Sequence, residues 1–273
     1  MDNPAADPRA LILPITLLIG LTRLVEPPAL WLIAVLVLVT TGVGCLQLLA
    51  RVDPAGETSG VPIESLLIPS AAVVAAVGAL RLVPVGIWLL PWLVVAGFLL
   101  DRTLATEAGL LAAPRRPGPE ARMSVMGGAL VVAFVGFLGV AAAVPGGLPD
   151  AGSPLSSPSA MPLEGLAVLA TADGLLAALL GYRAAALRGA NLREVAWAAI
   201  TCGLAVAIGA AALRAMALPR LLGPALLVVV FYLWDSTHAA VRSDQRDARR
   251  VWEAILLAVA AIVAIAWSLN VRS

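Results

Sequence analysis

The chain has 273 residues, of which 61% are hydrophobic and 13% are charged. Since soluble domains carry about a quarter of their residues as charged side chains, this composition excludes an ordinary soluble domain. The net charge of +1 likewise excludes the strongly basic surface that a nucleic-acid partner requires.

Long apolar runs predict an all-α fold, a polytopic bundle of transmembrane helices. A helix needs about 20 apolar residues to cross the hydrocarbon core. In chain order the predicted spans are Leu11–Thr22, Ala29–Ala50, Ser65–Leu80, Leu82–Leu100, Met123–Val144, Gly165–Tyr182, Val195–Leu213, Ala215–Trp234 and Ala254–Leu269. Because the first run has only twelve residues and contains Pro14, the sequence predicts about nine spans, or eight if that run does not cross.

Arginine placement predicts the orientation of these spans. With nine spans, thirteen of the eighteen arginines fall on one side of the membrane and five on the other. Loops rich in basic residues stay in the cytoplasm, so the side with thirteen is predicted to be cytoplasmic. We therefore expect a protein of the cytoplasmic membrane, of bacterial type, with its amino terminus inside and its carboxyl terminus outside.

A weak internal duplication divides the spans into four, four and one. An arginine, a proline and an aspartate recur at nearly equal spacing, first as Arg81, Pro91 and Asp101 and then as Arg214, Pro224 and Asp235. An even number of spans per copy makes the copies parallel, a 4+4+1 repeat with a pseudo-axis along the membrane normal. The predicted units are a first four-helix repeat at 1–101, a basic cytoplasmic linker at 102–122, a second four-helix repeat at 123–235, and a charged cytoplasmic segment with the ninth helix at 236–273.

Asp173 is the sharpest candidate for a functional residue. It lies nine residues after Glu164 and ten before Arg183, near the middle of its span. An acidic side chain at that depth is costly and usually faces the bundle interior. No basic residue lies at comparable depth, so we expect the carboxyl to be protonated. It is interpreted either as polar glue, hydrogen-bonded to a neighbouring helix, or as a site for a proton, a cation or an amine.

Two threonines complete this candidate site. Thr41 is equivalent to Asp173 under the duplication, because each lies ten residues before an arginine, Arg51 or Arg183. Thr171 lies two residues before Asp173. We therefore predict a mid-membrane binding or proton site formed by Asp173, Thr41 and Thr171.

Arg81 and Arg214 end their spans on the predicted outer face. They are interpreted either as a pair of anion-binding arginines at a pseudo-symmetric mouth or as side chains that snorkel into lipid headgroups. Pro91 and Pro224 lie ten residues after them, and each is expected either to kink its helix or to pack without a special role.

Glycines in the fifth span predict close approach of a neighbouring helix. They are Gly127, Gly128, Gly136 and Gly139. The alanine-rich seventh span is expected to pack closely for the same reason.

No catalytic site and no metal site is predicted. His238 is the only histidine and lies three residues after Asp235, whereas zinc requires three or four ligands. Cys45 and Cys202 fall within other spans, and no HExxH, GxSxG or Walker A motif occurs. The cofactor stays unknown, since a pigment, a quinone or a lipid can occupy an apolar cleft without any residue motif.

Two functions have features in their support, and a third, an intramembrane enzyme acting on lipids, has no specific residue behind it. Few internal polar groups favour a non-catalytic integral membrane protein, a structural or accessory subunit whose partners are membrane lipids and other integral membrane subunits. The duplication and Asp173 favour the alternative, a secondary transporter or lipid translocator with a proton- or cation-responsive site at Asp173. Neither function involves a nucleic-acid partner or an enzymatic reaction.

Overall fold

The computed structural model describes residues 9–25, 29–52, 61–112, 118–148, 161–189, 191–216, 218–242 and 248–270. Within these ranges the chain is helical and forms no strand. Its α-helices are α1 (Arg9–Leu24), α2 (Ala29–Val52), α3 (Leu67–Ala79), α4 (Leu89–Ala112), α5 (Pro119–Ala143), α6 (Leu163–Ala186), α7 (Leu192–Ala215), α8 (Leu222–Arg242) and α9 (Ala248–Asn270). Short 3₁₀ turns at Ile63–Leu66 and Leu80–Leu82 precede and follow α3.

In the described part of the chain, seven stretches are long and apolar enough to cross a membrane. They are Leu32–Ala50, Ile63–Leu82, Leu89–Ala112, Glu120–Ala143, Leu163–Ala186, Leu192–Ala215 and Leu222–Ala239. Helices α1 and α9 contain shorter apolar stretches, Leu11–Leu24 and Ile255–Trp267. The predicted class is therefore confirmed: the protein is an all-helical, membrane-embedded chain.

Helix α4 differs from its prediction at both ends. We expected a span at 82–100, but residues 83–88 form a turn in which Gly86 has φ +142°, and the helix begins at Leu89. It then continues beyond Asp101 to Ala112, so residues 102–112, predicted to begin the segment between the two repeats, are helical. The continuation packs inward, because Thr103, Leu104 and Glu107 are buried.

The helices form two bundles that are joined along α3 and α5. In the first bundle α1 packs against α2 and α4, and α3 packs against the same two helices. In the second, α5 and α7 each pack against α6 and α8, and the α6–α7 contact is the most extensive in the molecule. Helix α3 lies along α5 and connects the two apolar cores, while α9 packs along α8.

Two helix crossings bring backbone against backbone at pairs of glycines. A Cβ placed on Gly78 of α3 would lie 2.8 Å from the Gly139 backbone of α5. On α7, a Cβ at Gly203 would lie 2.7 Å from the carbonyl oxygen of Gly174 on α6. Such distances exclude any side chain, so the absence of a Cβ is what allows both helix pairs to approach so closely.

The predicted glycine contacts on α5 are therefore only half right. Gly136 and Gly139 face neighbouring helices, Leu176 and Ala79 being the respective contacts. Gly127 and Gly128 have no atom within 4 Å of an added Cβ, because they lie on α5 away from the packed helices.

Pro91 and Pro224 do not kink their helices. Each is the third residue of its helix, α4 or α8. The first turn of a helix has no internal acceptor for its N–H groups, so proline is accommodated there without breaking a hydrogen bond. The kink interpretation is wrong because the turns before α4 and α8 are longer than expected.

Replacing Gly139 by alanine is expected to destabilise the junction between the bundles. The new Cβ would lie 2.8 Å from the backbone nitrogen of Ala79, and overpacking of this kind costs about 1–3 kcal/mol. Thermal unfolding in detergent should show a midpoint lowered by several degrees. Gly127→Ala on the same helix is the matched control, because its Cβ meets open space and removes backbone freedom from the unfolded chain. An equal loss in both variants would contradict the proposed close contact.

Candidate functional site

Asp173 is buried near the middle of α6, ten residues after the helix begins. Its exposed fraction is 1%. The next residue, Gly174, is the point at which α6 crosses α7, so the crossing holds this part of α6 in place. At 1.5 Å per residue, the carboxyl lies about 15 Å from the start of the helix.

The carboxyl of Asp173 lines a small cavity and has no partner among the described residues. Its Oδ1 atom is buried without a hydrogen bond, and among the described residues Asp173 forms no ion pair. The cavity measures about 50 Å³, and its walls include Phe137, Leu169, Ala210 and Leu227. That volume holds a few water molecules, and the lone carboxyl gives them a polar contact.

The cavity extends from Asp173 to one end of the second bundle. There its lining includes Arg214, Arg220 and the turn residue Gly147. Arg214 donates from Nη2 to the carbonyl oxygen of Gly146 at 2.5 Å, while its Nε atom is buried without a partner among the residues described. A single acidic group therefore lies deep in the cavity, with two guanidinium groups nearer its outer limit.

The other predicted site residues lie elsewhere. Thr41 is fully buried in the first bundle, where its Oγ1 donates to the carbonyl oxygen of Val37 at 2.7 Å. Thr171 is exposed on the outer surface of α6, and Arg81 is half-buried in the turn that follows α3. Of the predicted set, only Asp173 and Arg214 line a common cavity.

A buried ion pair escaped the sequence analysis. Arg183 near the end of α6 binds Glu107 of α4 in a two-point arrangement, with Nε donating to Oε1 at 3.0 Å and Nη2 donating to Oε2. The side chains are 7% and 1% exposed. The sequence signal for this site is the i, i+3, i+4, i+7 spacing of one helix face. The residues at this spacing, all of them buried, are Leu100, Thr103, Leu104 and Glu107.

A second ion pair lies at the same end of the molecule. Arg188, just after α6, donates from Nη2 to Oδ1 of Asp235 on α8. Beside Asp235 on α8, the rings of Trp234 and His238, which are one helical turn apart, stack with centroids 4.8 Å apart. Nowhere in the described part of the chain do three His, Cys, Asp or Glu side chains come together as metal ligands.

These pairs define two ends of the molecule. The arginine-rich end is where α4 and α6 finish and α5 begins, and it carries Arg122, Arg183 and Arg188. The opposite end is where α5 and α7 finish, and it carries Arg214. Asp173 is reached through the cavity from the opposite end, while both ion pairs lie at the arginine-rich end.

Removing one partner of the buried ion pair is expected to cost much more than removing both. Glu107→Gln leaves the Arg183 guanidinium buried without a counter-ion, which typically costs about 3–5 kcal/mol. Adding Arg183→Gln to the Glu107→Gln variant removes the unpaired buried charge and should recover most of the lost stability. The free energy of unfolding in detergent measures both effects.

Glu120→Gln, at an exposed position on α5, is the control for a surface acid and should change stability little. If the double variant lost as much as the two single variants combined, the coupling between Glu107 and Arg183 would be refuted.

Comparisons with known proteins add no family to this geometry. No protein-family model, no curated protein and no solved structure matches the chain. Any inference about function therefore rests on the geometry around Asp173 and the two ion pairs.

Proposed function

We propose that the chain is a non-catalytic membrane carrier, a secondary transporter or lipid translocator, with a proton-responsive site at Asp173. One observation carries this proposal: the Asp173 carboxyl is buried, lines a cavity and makes no hydrogen bond or ion pair to a described residue. Acidic groups inside membrane bundles are costly, and they mark proton relays and ion pathways.

The absence of a partner for Asp173 within the described ranges counts against a purely structural role. A polar side chain that serves as glue hydrogen-bonds across to a neighbouring helix. Here the adjacent α6–α7 contact is made by Gly174 and Gly203, whose backbones touch without any help from the carboxylate. The helix pair is therefore held by small residues, and Asp173 is available to water in the cavity.

The surroundings of the cavity favour a proton over a larger cation. Arg214 lies along the cavity on the way to Asp173, and its charge repels metal cations. A proton can reach the carboxyl through a short chain of waters, which the volume of about 50 Å³ accommodates. The cavity extends from Asp173 towards the end opposite the arginine-rich one, where Arg214 and Arg220 line it.

Nine spans in a 4+4+1 parallel repeat are the architecture we propose for this carrier. Helix α1 runs antiparallel to α4, since Gly20 faces Leu93 and Gly97 faces Thr16. The order of neighbouring helices is the same in both bundles, and Pro91 and Pro224 hold the same position in α4 and α8. The arginine-rich end is proposed to face the cytoplasm of a bacterial-type cell.

An accessory subunit is the second candidate function, supported by helix α9. This helix packs along α8 and leaves an apolar surface exposed. Its exposed large side chains include Trp252, Ile255, Leu256, Ile262 and Trp267. Such a surface fits membrane lipid or a helix of another integral membrane subunit.

Neutralising Asp173 is expected to abolish charge movement driven by a pH step. Purified protein in liposomes, adsorbed on a solid-supported membrane, should give a transient current when the external pH is lowered. Asp173→Asn keeps the shape of the side chain and removes the titrating group, so the current should fall to the level of empty liposomes. The variant should unfold at or above the wild-type temperature, because no hydrogen bond is lost.

Thr171→Val is the matched control, since Thr171 lies two residues away on the exposed face of α6. An unchanged current in Asp173→Asn would refute the carrier proposal. Extraction in mild detergent followed by mass spectrometry tests the second candidate, which requires a stoichiometric partner subunit to co-purify.

A further inference from the structure

We propose that a second cavity, at the arginine-rich end between α3, α5 and α6, binds the phosphate of an anionic phospholipid headgroup through Arg122 and Arg188. The cavity measures about 60 Å³ and is separate from the one that contains Asp173. This inference does not depend on the carrier proposal, because it concerns other residues at the other end of the molecule.

Arg188 is held in place with part of its hydrogen-bonding capacity unused. Its Nη2 atom binds Asp235, whereas its Nη1 atom is buried without a hydrogen-bond partner in the described ranges. The side chain lines the cavity and is 20% exposed. A guanidinium offers five donors in a fixed planar fork that matches phosphate oxygens. Asp235 therefore orients Arg188, and Nη1 is left to donate to an anion.

Arg122 supplies the second charge from another helix. It is the fourth residue of α5, it is exposed, and it lines the same cavity as Arg188. The nearest acid along α5, Glu120, is two positions away and so projects from a different side of the helix. Two guanidinium groups, one on α5 and one just after α6, thus line the same cavity. Among the described residues, Arg188 has a carboxylate partner and Arg122 has none.

The remaining walls of the cavity are apolar, which distinguishes it from a site for a free anion. Ile68, Val125, Met126 and Leu180 line it together with smaller side chains. Ala129, also in the wall, lies seven residues beyond Arg122, about 10 Å deeper into the bundle. A polar mouth above apolar walls suits a phosphate that carries an acyl chain, and basic cavities between transmembrane helices commonly bind anionic lipid headgroups.

Native mass spectrometry of the purified chain in detergent tests this site. Wild-type protein titrated with phosphatidylglycerol should retain one lipid at concentrations where phosphatidylcholine leaves none. Arg122→Gln should weaken phosphatidylglycerol binding by about tenfold, the effect of one charge-assisted hydrogen bond. Arg122 is exposed, so this variant should fold with wild-type stability.

Arg193→Gln is the matched control, because Arg193 is exposed at the same end of the molecule but does not line the cavity. Equal retention of both lipids, or equal losses in Arg122→Gln and Arg193→Gln, would overturn the proposal.

Inorganic phosphate separates the two sources of the anion. Displacement of phosphatidylglycerol by millimolar inorganic phosphate, with phosphate retained on the protein, would assign the site to the free anion and overturn the lipid assignment. Retention of the lipid in the presence of phosphate supports binding through both the headgroup and the apolar walls.

Discussion

Close contact between helix backbones is the constraint on which the rest of the structure depends. Gly78 and Gly139 connect the two bundles, and Gly174 and Gly203 connect the two most closely packed helices. Lipid tails are as apolar as leucine side chains, so apolar burial alone does not drive helices together in a membrane, and tight packing has to do so. Asp173 lies next to one of these contacts, and the neighbouring Gly174 holds this part of α6 against α7.

Charge is distributed unequally between the two ends of the second bundle. At the arginine-rich end, Glu107 and Asp235 neutralise Arg183 and Arg188 and connect α6 to its neighbours. At the opposite end Arg214 binds a turn carbonyl instead of an acid. Asp173, the buried acid that has no partner in the described chain, lies between the two ends. One end thus carries two ion pairs, and the other leads to a titratable group through a cavity of a few waters.

Sequence patterns predicted the helical class and the burial of Asp173, because apolar runs and an isolated acid among them are local signals. They placed the end of α4 too early, because the charged residues after Asp101 look like a linker in the sequence. Only the fold shows that Glu107 is buried against Arg183, which lies 76 residues later. The same limit applies to Gly127 and Gly139: both lie on α5, and only the tertiary arrangement determines which of them faces α3. The cavities at Asp173 and Arg188 each need at least three helices, so no single stretch of sequence reveals them.

The Glu107–Arg183 pair also has a consequence for biosynthesis. Glu107 is translated 76 residues before Arg183, which at typical elongation rates corresponds to roughly 4–15 s. During that interval the last turns of α4 contain an acid whose buried partner has not yet been made, so they remain at the water interface. The arrival of α6 neutralises the acid and allows those turns to settle into the bundle. The ion pair therefore orders assembly: the first bundle is completed only after α6, the second helix of the other bundle, has been synthesised.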